Sequence, residues 1–259
     1  VDLKEQYAYR KAIFEYFERK AVISVGLQNG FTSTNGVAAH RYPALAFRAA
    51  MNVLFERDAF LRHWYSRTPF IAVDDLSSLS PQIRLDELHA FGYRPFFCKT
   101  HLGFFPTTLA FLIHQKTGNF ALGLSSGRGG GDLNKSFLEA AINLFFGNEG
   151  KTTEELLQHL KDHGVVSLRD HRTFWLQANP IPGWLHDPIS IDSNLGRPRK
   201  PTPKIERVTL ANSPVDVVGA RCDEALDLAL GLPKERDLLI LRRSNLLPSD
   251  GLLFPHPIP

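Results

Sequence analysis

The feature that most constrains this chain is a short helical pattern that occurs twice in its first sixty positions. Residues 14–21 read Phe-Glu-Tyr-Phe-Glu-Arg-Lys-Ala, and residues 52–59 read Asn-Val-Leu-Phe-Glu-Arg-Asp-Ala. Both copies lie within longer segments whose apolar residues recur at helical spacing, so each predicts an amphipathic helix. The chain therefore contains two related helices that carry the same Phe-Glu-Arg sequence.

The first copy places two carboxylates and a guanidinium on one helix face, because Glu15, Glu18 and Arg19 stand at i, i+3 and i+4. Magnesium usually binds one or two carboxylates plus substrate phosphates, and arginine matches the acceptor geometry of phosphate. This trio suits Mg2+ and a polyphosphate. The alternative is ordinary surface salt bridges, each worth less than about 1 kcal/mol, but the repetition favours the functional interpretation.

The second copy keeps Glu56 and Arg57 but has Val53 where the counterpart of Glu15 would stand.

The C-terminal residues Leu253-Phe-Pro-His-Pro-Ile-Pro259 have proline at every other position. Alternating prolines form a stiff, extended segment, and a chain that stops at Pro259 would present a free carboxylate as a base or acceptor. A frayed tail, or a ligand for an aromatic groove elsewhere, is the alternative.

Together, these features resemble the YcaO family, and within it the azoline-forming cyclodehydratases, the D-type components of microcin-like synthetases. The family motif Ser-x-x-x-Glu-x-x-Glu-Arg is similar to Lys11-Ala-Ile-Phe-Glu-Tyr-Phe-Glu-Arg19, except for the leading serine. Asn35-Gly-Val-Ala-Ala-His40 followed by Val53-Leu-Phe-Glu-Arg57 is similar to a second family segment, and the last five residues match the C-terminal Pro-x-Pro-x-Pro.

Three positions depart from the family pattern. Val53 and Asn143 stand where glutamate is expected, and Leu45 stands where another acidic residue is usual. Valine cannot ligate magnesium. The second half of the ATP site is therefore altered, or other residues provide its ligands.

The resemblance implies an ATP- and Mg2+-dependent enzyme that converts Cys, Ser or Thr of a ribosomal precursor peptide into thiazoline or oxazoline by phosphorylating the backbone amide oxygen. It implies that Glu15 and Glu18 hold Mg2+ and that Arg19 and Arg57 meet the developing charge. It gives the Pro259 carboxylate a base or positioning role. Glu56 would lie at the nucleotide-binding part of the site and orient Arg57.

The resemblance also implies a leader-binding partner protein and a flavin dehydrogenase subunit. Two alternatives remain open: a degenerate YcaO domain that binds peptide or serves as a scaffold without hydrolysing ATP, and a YcaO enzyme of different output such as thioamide formation. The Pro-rich terminus argues against the second.

A Gly-rich segment, Ser125-Ser-Gly-Arg-Gly-Gly-Gly-Asp132, runs from a predicted strand into a predicted helix. Backbone N–H groups at such a junction, together with Arg128, can bind a phosphate. The segment lacks the ending of a Walker A loop and the dinucleotide fingerprint. A flexible strand-to-helix turn is an equally good interpretation.

Composition limits the remaining classes. The 259 residues are 43% hydrophobic and include 19 phenylalanines, enough for a full core. No apolar run approaches a membrane span, and a net charge of +3 is too small to indicate nucleic-acid binding. Cys98 and Cys222 are predicted to be buried thiols of a reducing, cytoplasmic compartment. The ten histidines show no ligand spacing.

Alternating patterns predict an α/β (α+β) fold of mixed sheets layered with helices in a single domain, residues 1–259, with a Pro-rich tail at 247–259. The predicted helices span about 4–20, 43–64, 82–91, 132–147, 152–163 and 221–230. The predicted strands span about 69–73, 93–101, 107–114, 119–124, 205–211, 215–219 and 237–241. Family members carry a much longer segment between the two motif helices, so either residues are missing near 22–34 or this chain has a true deletion. The Pro-rich stretch near 190–205 is expected to form a long surface loop or to span missing residues.

Overall fold

The computed structural model describes residues 2–31, 33–80, 83–116, 118, 120–126, 131–145, 158, 204–212, 214–228 and 233–249, with the backbone alone for 2–8. The chain divides into two compact units. One comprises Val1–Asp58 and Lys200–Leu228, and the other comprises Ala59–Arg199 and Ala229–Pro259. The organisation of the whole chain as a single catalytic domain stays a prediction.

The first unit is built on a three-stranded antiparallel sheet in the order β1-β7-β6. Its strands are β1 (Val37–His40), β6 (Ile205–Asn212) and β7 (Asp216–Cys222). Helix α1 (Asp2–Ala21) continues into a π turn over Val22–Gly26 and a 3-10 turn over Leu27–Asn29. The apolar face of α1 covers the sheet, where Phe14 and Phe17 pack on a core that includes Val37, Ala39 and Val217.

Helix α2 (Pro43–Ser66) begins in the first unit, and its residues from Ala59 onward belong to the second. Its first turn starts at proline, as expected from the missing N–H of that residue. Within the first unit, the buried Asp58 accepts a hydrogen bond from the backbone N–H of Leu226 at 2.9 Å. This bond ties the middle of α2 to the segment that follows β7.

The second unit contains a four-stranded antiparallel sheet in the order β2-β3-β4-β5. Its strands are β2 (Ile71–Ala72), β3 (Tyr93–Lys99), β4 (Thr107–His114) and β5 (Phe120–Ser126). The described helices of this unit are α3 (Leu85–Ala90), α4 (Leu133–Phe145) and α5 (Glu235–Arg243). One face of β4 packs against α4 through Ala110 and Leu112, while Phe111 on the other face lies beside Phe70.

Glycine is required where α4 crosses β5. A Cβ atom at Gly123 would lie 2.0 Å from the backbone oxygen of Ser136. The helix therefore approaches the strand more closely than any side chain would allow.

His63 is a structural residue of the second unit. It is fully buried; Nδ1 lies 2.9 Å from the carbonyl oxygen of Thr68, and Nε2 lies 3.1 Å from the backbone nitrogens of both His101 and Leu102. The carbonyl requires a proton on Nδ1, and the two N–H donors require a bare Nε2, so this geometry selects the neutral Nδ1–H tautomer. Its environment agrees with the expectation of packed core histidines.

The α+β class is confirmed, and every described strand pair is antiparallel. The predicted first, second and fourth helices are confirmed as α1, α2 and α4, and Asp132 caps α4 because its Oδ1 accepts the N–H of Asn134 at 2.9 Å. The thiols of Cys98 and Cys222 are buried, as predicted. Among the residues with described structure, no helix is long and apolar enough to cross a membrane.

Two element predictions are wrong. The predicted helix over 221–230 is instead the end of β7, a turn and an irregular segment through Leu228, because the Leu226 N–H bonds the carboxylate of Asp58 rather than a helical carbonyl. The predicted strand over 237–241 lies in α5, where Asp237 and Leu241 are buried one turn apart and Leu239 is exposed.

Strand β1 was not predicted. The helix predicted over 152–163 lies outside the described residues except for Gln158. Helix and turn structure continues from α1 to Gly30, and the expectation of missing residues near 22–34 stays a prediction. Most of the second expected gap, 190–203, lies outside the described part of the chain.

Candidate functional site

The candidate carboxylates lie on α1 and differ strongly in environment. Glu15 is about half exposed, and its Oε1 lies 3.8 Å from Nζ of Lys11. Glu18 is largely buried against β1, and its Oε1 accepts a hydrogen bond from the backbone N–H of Ala39 at 2.7 Å. The exposed Arg19 follows it. Of the two carboxylates, only Glu18 is hydrogen-bonded to another element of the fold, whereas Glu15 pairs with a residue of its own helix.

Burial raises the pKa of Glu18 from 4.5 to about 7, and the nearby charge of Glu15 adds to the increase. The hydrogen bond from Ala39 and the charges of Lys11 and Arg19 oppose it without cancelling it. Near neutral pH, the site is therefore poised between a neutral acid and an anion. A cation close to Glu18 would favour the anion.

Strand β1 reaches Glu18 because of the Asn35-Gly36 turn that precedes it. Gly36 has φ of 71°, and a Cβ atom there would lie 2.7 Å from the carbonyl oxygen of Ala220. Asn35 is 7% exposed; its Nδ2 lies 3.5 Å from Oδ1 of Asp227, and its Oδ1 has no hydrogen-bond partner among the described residues. Asn35 was not predicted as a site residue, although the Asn-Gly dipeptide marks the turn.

The second set of candidate residues lies on α2. Glu56 is 4% exposed. The Nε and Nη1 atoms of Arg57 are inaccessible to solvent and have no hydrogen-bond partner in the described part of the chain, so neither bonds Glu56. Buried guanidinium N–H groups without acceptors are unfavourable, and an anionic ligand would supply the acceptors.

No described hydrogen bond or ion pair joins the candidate residues on α1 to those on α2. The described hydrogen bonds and ion pairs of Glu15, Glu18 and Arg19 do not include Glu56 or Arg57. No group of three or more His, Cys, Asp or Glu side chains that could hold a metal ion occurs among the described residues. A cleft that unites both sets remains a prediction, and Arg128 and Pro259 lie outside the residues the structure describes.

The three departures from the family motif have different surroundings. Leu45 is 43% exposed in the first turn of α2, and Val53 is half-buried on the same helix. On α4, Asn143 donates a hydrogen bond from Nδ2 to the carbonyl oxygen of Leu122 at 2.8 Å. Together with Glu139, whose Oε2 accepts the N–H of Leu124 at 3.2 Å, it covers the outer edge of β5.

We therefore expect Asn143→Glu to destabilise the second unit, because a carboxylate cannot donate to the Leu122 carbonyl and would bring negative charge to an acceptor. The expected loss is about 1–3 kcal/mol in the free energy of unfolding, measured by urea denaturation. Asn143→Gln retains an amide donor and is the matched control. Equal stability of the glutamate variant and the unmodified protein would contradict a structural role for Asn143.

Comparison with known proteins gives one family match. The family model described as "YcaO cyclodehydratase, ATP- and Mg2+-binding" matches residues 28–131. This range contains the Asn-Gly turn, β1, α2 and the second unit through β5. No curated protein matches the chain.

Two solved structures share the fold. One is described as a heterocyclase in complex with substrate and cofactor, with 15% identity and a TM-score of 0.53 over 73% of this chain. The other is the heterocyclase TruD, with 14% identity and a TM-score of 0.51 over 74% of this chain. This chain covers only 28% and 29% of those proteins. The resemblance to the YcaO family is confirmed.

Proposed function

From this confirmed resemblance to the YcaO family, we propose that the chain provides the ATP-dependent cyclodehydratase activity that converts Cys, Ser or Thr of a ribosomal precursor peptide into thiazoline or oxazoline. One observation carries the proposal. Each helix with the repeated motif holds a charged group that a ligand could complement: the part-buried Glu18 carboxylate, whose pKa is raised, and the Arg57 guanidinium, two of whose buried N–H groups have no acceptor among the described residues.

These two groups fit Mg2+ and ATP. Glu18 has a raised pKa that a cation would lower, and Arg57 has two N–H groups without acceptors. Glu15 lies one turn before Glu18 and is accessible, so the two carboxylates would hold Mg2+ together with phosphate oxygens. When bound, Mg2+-ATP supplies the phosphoryl group that turns an amide oxygen into a leaving group.

The chain's own residues would position the peptide and stabilise charge. The peptide's Cys, Ser or Thr side chain loses its proton as its sulfur or oxygen bonds to the preceding carbonyl carbon. The carbonyl oxygen takes the γ-phosphoryl group and leaves as phosphate, and loss of the amide N–H proton forms the C=N bond of the ring. Arg19 and Arg57 would stabilise the developing negative charge, and Glu56 would line the nucleotide side of the site. Arg128 would contact the phosphates, and the Pro259 carboxylate would take the proton.

The proposed partners are the precursor peptide, a leader-binding protein and a flavin dehydrogenase that oxidises the ring. A reaction of the chain with ATP, Mg2+, the leader-binding protein and a precursor encoded beside it tests the activity. We expect the peptide to lose the mass of one water per ring while one ADP and one phosphate form. ADP formation that does not increase with ring number would contradict the proposed mechanism.

A degenerate, peptide-binding scaffold is the second candidate. The observation that favours it is the absence of ligating side chains at Val53 and Leu45, together with the structural hydrogen bond of Asn143. A scaffold would bind the precursor and form no ADP in the same reaction, which separates it from the enzyme.

The tail provides a further prediction. In a protein that ends at Pro259, adding one or two residues keeps every side chain but moves the terminal carboxylate by several ångströms, and misplacement by about 1 Å can reduce a rate about a hundredfold. We expect ring formation to fall by at least that factor with no change in thermal stability, measured by peptide mass and by calorimetry. Full activity of the extended protein would show that the terminal carboxylate has no catalytic role.

A further inference from the structure

Helix α1 and the turns that follow it expose a row of large apolar side chains. Tyr9, Tyr16, Ile23 and Leu27, here called the α1 outer stripe, are 69%, 58%, 82% and 72% exposed. Other residues of α1, such as Phe14, pack against the core of the first unit, but none of these four does. A contiguous exposed apolar row of this kind marks an interaction surface.

The spacing along the stripe is that of a helix-packing seam. Tyr9, Tyr16 and Ile23 are seven residues apart, and Leu27 follows Ile23 by four. The half-buried Ile13 and the exposed Lys20 occupy the intermediate positions, so steps of four and three residues alternate along the whole row. On α1 this is the repeat with which one helix packs lengthwise against another, and Ile23 and Leu27 extend the row into the π turn and the 3-10 turn.

Positive charge borders the stripe. Arg10 and Lys20 are exposed, and no carboxylate among the described side chains forms an ion pair with Arg10. Lys20 lies within the stripe, with its Nζ 5.9 Å from the centroid of the Tyr16 ring. Glu15, the acidic residue next to Tyr16, pairs with Lys11.

The positive charge beside the α1 outer stripe determines which kind of partner can bind there. A second copy of α1 would bring like charges together along the seam, which is unfavourable. A helix with apolar residues at the same spacing and glutamate or aspartate on its flanks would cover the tyrosines and pair with Arg10 and Lys20. We propose that the α1 outer stripe is the docking surface for an acidic amphipathic α-helix of a partner polypeptide.

The probe for the test is a synthetic three-heptad peptide with leucine at the two seam positions and glutamate on both flanks. A second peptide with lysine in place of every glutamate is its control. We expect the full chain to bind the acidic peptide at least tenfold more tightly than the basic one, measured by fluorescence anisotropy, with an affinity that falls as salt increases.

Variants distinguish the stripe from other surfaces. Ile23→Asp should weaken acidic-peptide binding at least tenfold, and because this side chain is 82% exposed the fold should persist, as checked by circular dichroism. Arg10→Glu combined with Lys20→Glu should reverse the preference toward the basic peptide. Tyr42→Asp, which changes a 64% exposed tyrosine outside the stripe, should leave binding unchanged.

Three outcomes would overturn the proposal. The first is equal affinity for the two peptides. The second is concentration-dependent self-association that Ile23→Asp abolishes, which would make a second copy the occupant. The third is cosedimentation with phosphatidylcholine–phosphatidylglycerol vesicles that Ile23→Asp abolishes, in the absence of peptide binding, which would make the stripe a membrane surface.

Discussion

Replacing Glu18 with glutamine is expected to abolish ring formation and to stabilise the protein without ligand at about pH 8. Glutamine keeps an oxygen that accepts the Ala39 N–H and has a comparable helix propensity, so the fold persists. It removes the anion that would hold Mg2+. We expect the rate of cyclodehydration to fall by at least about a hundredfold, measured as peptide mass loss per unit time.

The stability effect has a defined pH window. A carboxyl whose pKa is raised by folding binds its proton more tightly in the folded state, so the unmodified protein loses stability as pH rises from 4.5 to about 7. A shift of this size corresponds to about 3 kcal/mol as an upper value. Glu18→Gln removes this loss and should be more stable than the unmodified protein above pH 7, but not below pH 4.5.

Glu15→Gln is the matched control for stability, because Glu15 is about half exposed on the same helix. Its free energy of unfolding should change by less than about 0.5 kcal/mol at either pH. A Glu18→Gln variant that forms rings at the unmodified rate would exclude Glu18 from the metal site, whatever its stability.

Replacing Arg57 with methionine is expected to weaken the binding of Mg2+-ATP about a hundredfold, because two charge-assisted hydrogen bonds to phosphate would be lost. Without ligand, the same change should raise the free energy of unfolding by about 1–2 kcal/mol, since it removes two buried N–H groups that have no acceptors among the described residues. Titration calorimetry with a non-hydrolysable ATP analogue and urea denaturation measure the two effects.

Arg57→Lys is the informative comparison. Lysine keeps the charge but not the planar pair of donors, so it should restore only a small part of the affinity. Full affinity in Arg57→Met, or a loss of stability with no change in nucleotide binding, would show that Arg57 is a structural residue.

Local sequence patterns predicted the long helices well. Apolar spacing placed α1 and α2 within two residues of most of their observed ends, and Pro43 and Asp132 marked helix starts through backbone chemistry that acts within a few residues. Strand β1 was missed because four residues, Val-Ala-Ala-His, are too short for a periodic signal. It exists because β7 pairs with it across a long separation in sequence.

The two wrong elements have the same origin. Leu238 to Leu241 form a continuous apolar run, which suits a buried strand as well as one turn of helix, and only the burial of Asp237 and Leu241 on one side of α5 distinguishes them. The helix expected after Cys222 is prevented by Asp58, a residue far away in sequence that takes the Leu226 N–H.

The sequence by itself determined that Glu15, Glu18 and Arg19 share a helix with a repeated counterpart that carries Glu56 and Arg57, because helical periodicity is a property of neighbouring residues. Only the tertiary structure decided that Glu18 is part-buried and accepts the Ala39 N–H, while Glu15 is about half exposed beside Lys11. It also decided that two N–H groups of Arg57 are buried without acceptors among the described residues. Burial and hydrogen-bond partners depend on contacts between distant segments, so the pKa of Glu18 follows from the fold and not from its motif.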